Sequence, residues 1–306
     1  MEINQSRPKN THPNAAFRGT GVALVTPFLD EKIDFPALEK LIEHVIAGGV
    51  EYIVSLGTTG EAGVLTKNEQ RAVIDFTVKT VAERVPVVVG IFGGNNTSAI
   101  TERIKSFDFK GVDALLCASP AYSKPSQEGI FRHFMRLADV SPLPIILYNV
   151  PSRTASNLTA ETTLRLARAS DKFIGVKEAS NDLFQILYIA REKPPGFLVI
   201  SGDDFFTLPI LAGGGDGVIS VIANATPRPF TDMVRASLNG DGELAKSLNF
   251  KLLELFRLLF IEGNPVGVKA ALAHLGICRD EVRLPLTSMS PAGSSLLNKE
   301  LDEVLA

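Results

Sequence analysis

Short runs of β-branched and aliphatic residues alternate with longer amphipathic segments along almost the whole chain, and this order limits the possible folds. The short runs contain few polar residues, as expected for strands buried on both faces of a parallel sheet. The longer segments repeat apolar residues at helical spacing, as Leu38, Leu41 and Val45 do in 35–47. Eight strands are therefore predicted, over 22–25, 52–56, 85–91, 114–118, 144–149, 173–177, 197–201 and 217–221.

Helices are predicted between these strands and after the last one. Several begin behind a residue whose side chain can accept a hydrogen bond from a free backbone N–H group, namely Asp34, Thr66, Ser126 and Thr159. The predicted helices cover 35–47, 67–82, 97–107, 127–138, 160–169, 182–190 and 227–238. Three more helical segments follow without a further strand, at 243–260, at 266–275 and from 294 onward.

Eight strands in alternation with helices predict an α/β fold, a (β/α)8 TIM barrel with a C-terminal helical appendage. We divide the chain into a flexible, polar N-terminal arm (1–18), the catalytic barrel (19–240) and a C-terminal helical region (241–306). A doubly wound open sheet is the alternative. It would require a glycine-rich dinucleotide turn after the first strand, and Thr26-Pro27-Phe28 is not such a turn.

Composition excludes several classes of function. The chain has 306 residues, a net charge of −3 and no basic block, so nucleic acid is not an expected partner. No apolar run approaches the roughly 18 residues of a membrane span, and the N-terminus lacks the apolar stretch of a signal peptide. Two cysteines form no disulfide framework and favour a reducing, cytoplasmic setting. Four scattered histidines offer no metal-ligand spacing, and no cofactor is expected.

Lys177 interrupts one of the apolar strands, Phe-Ile-Gly-Val-Lys-Glu-Ala at 173–179. Burial of an ammonium group is costly and favours the neutral amine, which attacks carbonyl carbons. Lys177 could therefore be a Schiff-base nucleophile. It could equally be an exposed lysine at a strand end, whose alkyl stem lies along apolar surface. The strand alone favours the second interpretation.

Other polar residues stand where predicted strands end, which is the face at which barrel enzymes carry out their chemistry. Tyr148 lies at the end of the strand that precedes Lys177 and could relay protons. The Gly-Thr-Thr-Gly-Glu turn at 57–61 offers hydroxyl and backbone N–H groups to a carboxylate. Arg153 could bind a second carboxylate with two parallel hydrogen bonds. These groups suit the chemistry of an amine and a 2-oxo acid.

Each of these residues also has a purely structural interpretation. The turn at 57–61 could simply join a strand to a helix, Tyr148 could pack as a strand aromatic, and Arg153 could lie on the surface. Glu61 could do no more than place a charge at the N-terminus of the next helix. Glu178 should point to the outside of the barrel, and a basic residue outside the barrel could pair with it. Three glycines at 213–215 precede a strand, so we interpret them as a tight connection and not as a phosphate site. Likewise, Asn264-Pro265 is interpreted as a turn with a first-turn proline.

Four segments together resemble a known family. They are Gly-Thr-Thr-Gly-Glu at 57–61, Tyr-Asn-Val-Pro-Ser-Arg-Thr at 148–154, Gly-Val-Lys-Glu-Ala at 175–179 and Ser-Gly-Asp-Asp at 201–204. In this order the chain, from about 19 to about 286, resembles dihydrodipicolinate synthase (4-hydroxy-tetrahydrodipicolinate synthase), in the pyruvate-dependent class I aldolase family with N-acetylneuraminate lyase. The resemblance implies a (β/α)8 barrel with a C-terminal helical region, in a homotetramer built as a dimer of dimers.

The resemblance also implies roles for individual residues. Lys177 matches the Schiff-base lysine, Tyr148 the proton-transferring tyrosine and Thr58 the relay threonine. Tyr122 matches a tyrosine that reaches into the site of the neighbouring subunit. The residues that match substrate-binding positions are Thr59 for the pyruvate carboxylate, Arg153 for the carboxylate of the aldehyde, Ile219 through its backbone, and Gly202 within its motif.

The implied reaction is condensation of pyruvate with L-aspartate 4-semialdehyde, a lyase reaction of lysine (diaminopimelate) biosynthesis. Rivals within the family are N-acetylneuraminate lyase and a keto-deoxy-sugar aldolase. Rivals outside it are a phosphate-binding isomerase barrel that uses Glu61 or Asp203, and a barrel without catalysis. A pyruvate adduct trapped by borohydride would separate the first group from the second.

The chain departs from the family pattern around one cleft. Ala62 replaces a frequent serine, and Ala121 replaces the first of two adjacent tyrosines. Lysine-inhibited bacterial members have histidines after the first motif, where this chain has Lys67, Asn68 and Gln70. These positions fall around the family's lysine-binding cleft between subunits. The resemblance therefore does not carry feedback inhibition by lysine over to this chain, whereas the catalytic residues all match.

Overall fold

A closed barrel of parallel strands forms the centre of the computed structural model, which describes residues 14–306. Its strands are β1 (Gly19–Ala23), β4 (Tyr52–Ser55), β5 (Val87–Val89), β6 (Ala114–Ala118), β7 (Ile145–Asn149), β8 (Phe173–Glu178), β9 (Leu198–Ser201) and β10 (Gly217–Ser220). The order around the barrel is β1-β10-β9-β8-β7-β6-β5-β4, so each barrel strand pairs with the next barrel strand along the chain. The first and last of them, β1 and β10, also pair and close the barrel. All eight predicted strands are confirmed. A short antiparallel ribbon, β2 (Phe28–Leu29) with β3 (Lys32–Ile33), was not predicted.

Helices surround the barrel and continue beyond it. They are α1 (Phe35–Ala47), α2 (Lys67–Val81), α3 (Thr97–Ser106), α4 (Gln127–Val140), α5 (Pro151–Thr154), α6 (Ala160–Ala169), α7 (Leu183–Glu192), α8 (Thr207–Ala212), α9 (Pro227–Leu238), α10 (Gly242–Phe260), α11 (Val266–His274) and α12 (Pro291–Leu305). Asp34, Thr66, Ser126 and Thr159 each accept a backbone N–H at a helix N-terminus, as predicted. The short helices α5 and α8 were missed, because a turn or two of helix shows no clear periodicity.

Side chains that alternate along the strands fill the barrel interior. Val54, Val88, Ile146 and Ile200 belong to one buried cluster inside the strands. A larger cluster lies between the strands and the helices. Both faces of each strand are therefore apolar, which explains why the strands lack polar alternation. Against this background, an inward-facing polar side chain at the C-terminal end of a strand requires an explanation.

The first described residues and the last helices both pack on elements of the barrel. Most of the predicted arm (1–18) lies outside the described residues; within 14–18, Ala15–Phe17 form one turn of 3₁₀ helix, and Phe17 packs edge-on against Tyr52 with ring centroids 5.7 Å apart. Beyond the barrel, Phe256 of α10 packs edge-on against Phe230 of α9 at 6.0 Å. The division at 240 stays a prediction. Within residues 14–306, none of the helices is both long and apolar enough to cross a membrane.

Candidate active site

Lys177 is buried inside the barrel near the C-terminal end of β8, with 6% of its surface exposed. It pairs in register with Tyr148 on β7 and with Ile200 on β9. Residues paired in this way face the same side of the sheet, and Ile200 belongs to the interior cluster. The structure therefore excludes the exposed, strand-end interpretation of this lysine. A buried amine at the catalytic face of a barrel is placed to act on a carbonyl compound.

Tyr148 is the immediate neighbour of this amine. Lys177 Nζ lies 4.5 Å from the centroid of the Tyr148 ring, and the tyrosine is 7% exposed. Parallel pairing of β7 with β8 places the two side chains side by side without help from any loop. The close approach of phenol and amine follows from strand register, and the phenol can transfer protons at the atoms on which the amine acts.

The end of β9 completes this side of the site with Gly202 and Asp203. A Cβ on Gly202 would lie 2.7 Å from Ala179 Cβ and 3.0 Å from Glu178 O, so only glycine lets β8 and β9 approach here. Burial raises the pKa of the Asp203 carboxyl, and the positive charge of Lys177 opposes that shift. The Asp203 carboxyl and the Lys177 amine are therefore close enough for their charges to interact, while the Asp203 carboxyl accepts hydrogen bonds from the backbone N–H groups of Phe205 and Phe206.

Ile219 lies inside the barrel on β10, almost completely buried. Just beyond it, the buried Asp204 carboxylate accepts hydrogen bonds from the backbone N–H groups of Val221 and Ile222. Burial raises the pKa of Asp204 to about 6. This carboxylate joins the end of β9 to the end of β10 and thereby fixes the backbone next to Ile219.

The turn at 57–61 lies on the opposite side of the site. Thr58 is partly exposed and Thr59 is buried. Gly60 packs so tightly that a Cβ would lie 3.1 Å from Leu24 O and from Leu56 Cα. Glu61 has a left-handed backbone, with φ of 52°, which is uncommon for a residue with a side chain. The turn is thus held in one conformation, with its two threonines next to the strand end.

Contacts from the C-terminal helical region hold this turn, and sequence reasoning missed them. Lys269 Nζ lies 2.5 Å from Glu61 Oε1, with both side chains buried. Asn264 Nδ2 donates a hydrogen bond to Thr59 Oγ1 at 3.0 Å. Glu61 is therefore an ion-pair partner and does not merely charge the next helix, where Glu69 occupies the first turn. Asn264-Pro265 forms a turn before α11, as predicted, but it also reaches the site.

Tyr122 and Arg153 lie farther out, on exposed segments. Tyr122 is 90% exposed and has a left-handed backbone, with φ of 65°. Its N–H donates to Thr154 O at 2.9 Å, which ties its loop to the end of α5. Arg153 is also exposed, on α5 directly after β7. Within one chain, the structure does not bring either side chain into the buried group formed by Lys177 and Tyr148.

Glu178 faces away from the site, as predicted, but the expected basic partner is wrong. Its carboxylate accepts hydrogen bonds from Asn149 Nδ2 and Gln185 Nε2, each at 2.8 Å, and from Ser180 N. Burial raises the pKa of Glu178, and these hydrogen bonds oppose the shift. Amide groups satisfy the carboxylate and link β7, β8 and α7 directly behind Lys177.

The cleft around the departures from the family pattern is occupied by polar side chains. Arg103 Nη2 donates to Gln70 Oε1 at 2.5 Å, and Gln70 Nε2 donates to Ala62 O at 2.8 Å. A cavity of about 600 Å³ lies beside them, lined in part by Lys67 and Arg103. An arginine and a glutamine thus stand near positions where lysine-inhibited relatives are expected to have histidines.

The fold and site define a class of protein, a (β/α)8 barrel with a buried amine and an adjacent phenol at the C-terminal ends of neighbouring strands. Comparison with known proteins identifies the family. The model of the dihydrodipicolinate synthetase family matches residues 16–304. The chain belongs to this family, as the sequence motifs predicted, and it is an enzyme of the lyase class.

Individual relatives agree with this assignment. A 4-hydroxy-tetrahydrodipicolinate synthase of Parabacteroides distasonis is 48% identical, over 88% of this chain and 91% of its own length. The crystal structure of dihydrodipicolinate synthase from Aquifex aeolicus is 40% identical, with a TM-score of 0.90 over 94% of this chain and 98% of that one. That of the Acinetobacter baumannii enzyme, determined with pyruvate, is 37% identical with a TM-score of 0.90 and the same coverage.

Proposed function

We propose that this enzyme condenses pyruvate with L-aspartate 4-semialdehyde to 4-hydroxy-tetrahydrodipicolinate, in lysine (diaminopimelate) biosynthesis. The observation that carries the proposal is the buried amine of Lys177, 4.5 Å from the ring centroid of Tyr148 on the adjacent strand. A relative that adopts the same fold has been crystallised with pyruvate. Imine formation with a 2-oxo acid requires an amine nucleophile beside a proton-transfer group, and these two side chains provide that pair.

The chemistry proceeds through covalent intermediates on the lysine. Lys177 Nζ attacks C2 of pyruvate, and the carbonyl oxygen leaves as water while the C=N bond forms. Loss of a methyl proton from C3 converts the imine into an enamine. C3 then attacks the aldehyde carbon of the semialdehyde, whose oxygen takes up a proton to become a hydroxyl. The amine of the semialdehyde finally attacks C2, closes the ring and releases Lys177 as a free amine.

The family resemblance implies roles for the neighbouring groups. Tyr148 transfers the protons of these steps, and Thr58 extends the relay from the turn. Thr59 and the backbone of the turn hold the pyruvate carboxylate, while Ile219 and Gly202 contact it from the other strand ends. Arg153, at the exposed rim, binds the carboxylate of the semialdehyde.

Borohydride reduction in the presence of pyruvate tests the imine. We expect a stable adduct on Lys177, located by mass spectrometry of the digested protein. Lys177→Ala should abolish both the adduct and the synthase activity, whereas Lys172→Ala, which removes a half-buried lysine just before the same strand, should change neither. No adduct in the native enzyme, or an adduct that persists in the Lys177→Ala variant, would contradict the mechanism.

The aldehyde substrate requires a separate test with pyruvate held constant. Aspartate semialdehyde should react far faster than N-acetylmannosamine or glyceraldehyde. Arg153→Ala should raise KM for the semialdehyde by about tenfold or more, because a charge-assisted contact is lost, and leave the pyruvate adduct unchanged. Arg153→Lys should recover only part of this loss, because lysine cannot form two parallel hydrogen bonds. A preference for a sugar aldehyde would assign the chain to another branch of the family.

The same proposal includes a homotetramer, a dimer of dimers, in the cytoplasm. Tyr122 is almost fully exposed in the single chain, which suits a side chain that completes the relay of a neighbouring subunit. Co-expression of the Tyr122→Phe and Lys177→Ala chains tests this arrangement. If Tyr122 acts across the interface, mixed dimers contain one complete site and regain activity that neither variant has alone. If Tyr122 acts within its own chain, the mixture stays inactive. Light scattering should give the mass of four chains.

Lysine is not expected to inhibit the enzyme, because the cleft at Ala62 and Gln70 carries an arginine and a glutamine in hydrogen-bonded contact. Assays with added L-lysine at saturating and subsaturating pyruvate check this expectation. Inhibition at low lysine concentration would show that the altered cleft still binds the amino acid.

A further inference from the structure

An ion pair between two buried side chains joins the C-terminal helical region to the turn at 57–61. Lys269 on α11 is completely buried, and its Nζ lies 2.5 Å from Glu61 Oε1. The same ammonium donates to Glu281 O at 2.7 Å and lies 4.0 Å from the centroid of the Phe28 ring. Glu61 Oε2 accepts a hydrogen bond from Arg283 N. Carbonyl, aromatic face and carboxylate therefore surround the ammonium on several sides.

A buried ion pair of this kind contributes little net free energy to the stability of the fold. Removal of two charges from water is energetically costly, and proteins with well-packed apolar replacements are often as stable or more so. Burial lowers the pKa of Lys269, and the Glu61 carboxylate opposes that shift. The pair does provide geometric specificity. The buried ammonium and the buried carboxylate compensate each other's charge only when the carboxylate lies in one position.

Glu61 is the last residue of the turn, so the position of its carboxylate governs the turn. Its left-handed backbone and its N–H bond to Thr58 O fix the residues before it. Because Gly60 is packed against Leu24 O, the turn cannot shift toward the barrel. Movement outward is what the pair with Lys269 prevents.

A second contact from the same region acts on the threonine itself. Asn264, just before α11, donates its Nδ2–H to Thr59 Oγ1. The Thr59 oxygen thus serves as an acceptor toward the C-terminal region, and its own O–H proton is available for a bound carboxylate. Lys269 on α11 and Asn264 just before this helix therefore contact two residues of the turn.

We propose that Lys269 is a positioning residue of the pyruvate site, which acts through Glu61 to hold Thr59 where it binds the pyruvate carboxylate, while Asn264 orients the Thr59 hydroxyl. This inference rests on the proposed function, since it assumes that pyruvate binds to Lys177. It gives the C-terminal helical region a direct part in substrate binding, in addition to its packing on the barrel.

The test compares how the pyruvate concentration controls borohydride trapping in the native enzyme and in variants. Lys269→Met should raise the half-saturating pyruvate concentration by about ten- to a hundredfold, the range expected when a binding group is misplaced by about 1 Å. The amount of adduct at saturating pyruvate should stay near that of the native enzyme, because Lys177 and Tyr148 are untouched. KM for pyruvate should rise more than kcat falls.

A matched control separates this effect from general loss of stability. Leu272→Ala removes a fully buried apolar side chain from the same helix without removing a charge, and it should lower the thermal midpoint without changing the pyruvate half-saturation. The double variant Glu61→Gln with Lys269→Met leaves no unpaired buried charge. It should fold if Lys269→Met alone does not, yet still bind pyruvate weakly.

Two results would overturn the inference. One is a pyruvate half-saturation close to the native value in the folded single or double variant. The other is an equal rise of the half-saturating pyruvate concentration in Leu272→Ala, which would mean that loss of stability alone causes the effect. Absence of any adduct in the native enzyme would instead refute the proposed function, so the two failures are distinguishable.

Discussion

On one side of the candidate site, Lys177 and Tyr148 stand on adjacent strands in matched register, whereas on the other side Thr59 depends on side chains from a remote helical region. The first pair is placed by backbone hydrogen bonds of β7 and β8. Thr59 is placed by Asn264, which is 205 positions away in the chain, and its turn by Lys269. Separate contacts therefore hold the Lys177–Tyr148 pair and Thr59, and we expect the two sides to respond independently to mutation.

The energetic consequences of the two arrangements also differ. Strand register is shared by many hydrogen bonds, and a slip by one residue would turn every side chain to the other face. Substitution of one residue therefore removes a chemical group on the β7–β8 side but leaves the geometry intact. On the turn side, a single lost contact changes the geometry and leaves the chemical groups in place.

The largest effect should come from Tyr148→Phe. Loss of the proton-transfer group should lower kcat by about two to four orders of magnitude, with a smaller change in KM for pyruvate. Steady-state kinetics and borohydride trapping at long incubation check this. An effect confined to KM would mean that Tyr148 serves to bind, and would break the contrast between the two sides.

A backbone change at Gly202 should have the next largest effect. Gly202→Ala forces a Cβ against Ala179 Cβ and Glu178 O, so the ends of β8 and β9 must separate. We expect kcat/KM to fall by about ten- to a hundredfold and stability to fall by about 1–3 kcal/mol. Gly242→Ala, where a Cβ meets nothing within 4 Å, is the matched control and should be nearly neutral. Near-native activity of the Gly202 variant would show that this strand end tolerates movement.

Asn264→Ala should affect the turn side more mildly than Lys269→Met does. Only the hydrogen bond to Thr59 Oγ1 is lost, so KM for pyruvate should rise by about three- to tenfold, equivalent to about 1 kcal/mol. The rate at saturating pyruvate should change little. A fall in kcat with an unchanged KM would place Asn264 in the chemical steps and remove the distinction between the two sides.

The smallest effect on activity should come from Asp204→Asn. This substitution should instead change how the free energy of unfolding depends on pH. Because the pKa of Asp204 is raised to about 6 in the folded protein, the folded state keeps a proton that the unfolded chain releases near 3.8. The contribution of Asp204 to the free energy of unfolding should therefore fall as pH rises from about 4 to about 6.

The variant should lack this part of the pH dependence, because its amide oxygen can accept the same bonds from Val221 N and Ile222 N without titrating. Urea unfolding of both proteins at a series of pH values measures the difference, which is at most about 3 kcal/mol for a shift of about two pH units. Parallel profiles for the two proteins would mean that Asp204 titrates alike in the folded and unfolded states.

Lys177 could be recognised from the sequence as a candidate site residue, because it is a charged residue within an otherwise apolar strand. A cation within an apolar strand breaks a local pattern, and the strand count assigns it to the barrel wall. The same count places Tyr148 one strand away. Local periodicity and short motifs carry this information, because strand pairing between successive units follows the order of the chain.

Lys269 could not be found in the same way, although it is more deeply buried than Lys177. A lysine in a predicted helix is ordinarily exposed, and only packing of α11 between neighbouring elements decides that residues on all its faces are buried. Glu178 was misjudged for a similar reason, since hydrogen bonds from Asn149 and Gln185 replace the cation we expected.

By itself, then, the sequence determined the barrel, the order of its strands and the placement of Lys177 and Tyr148 on adjacent strands, because these depend on periodicity and on neighbours along the chain. Only the tertiary structure decided that Lys269 and Asn264 meet Glu61 and Thr59. Contacts between segments so far apart leave no periodic trace in either segment. They exist only once the chain has closed the barrel and packed its last helices against it.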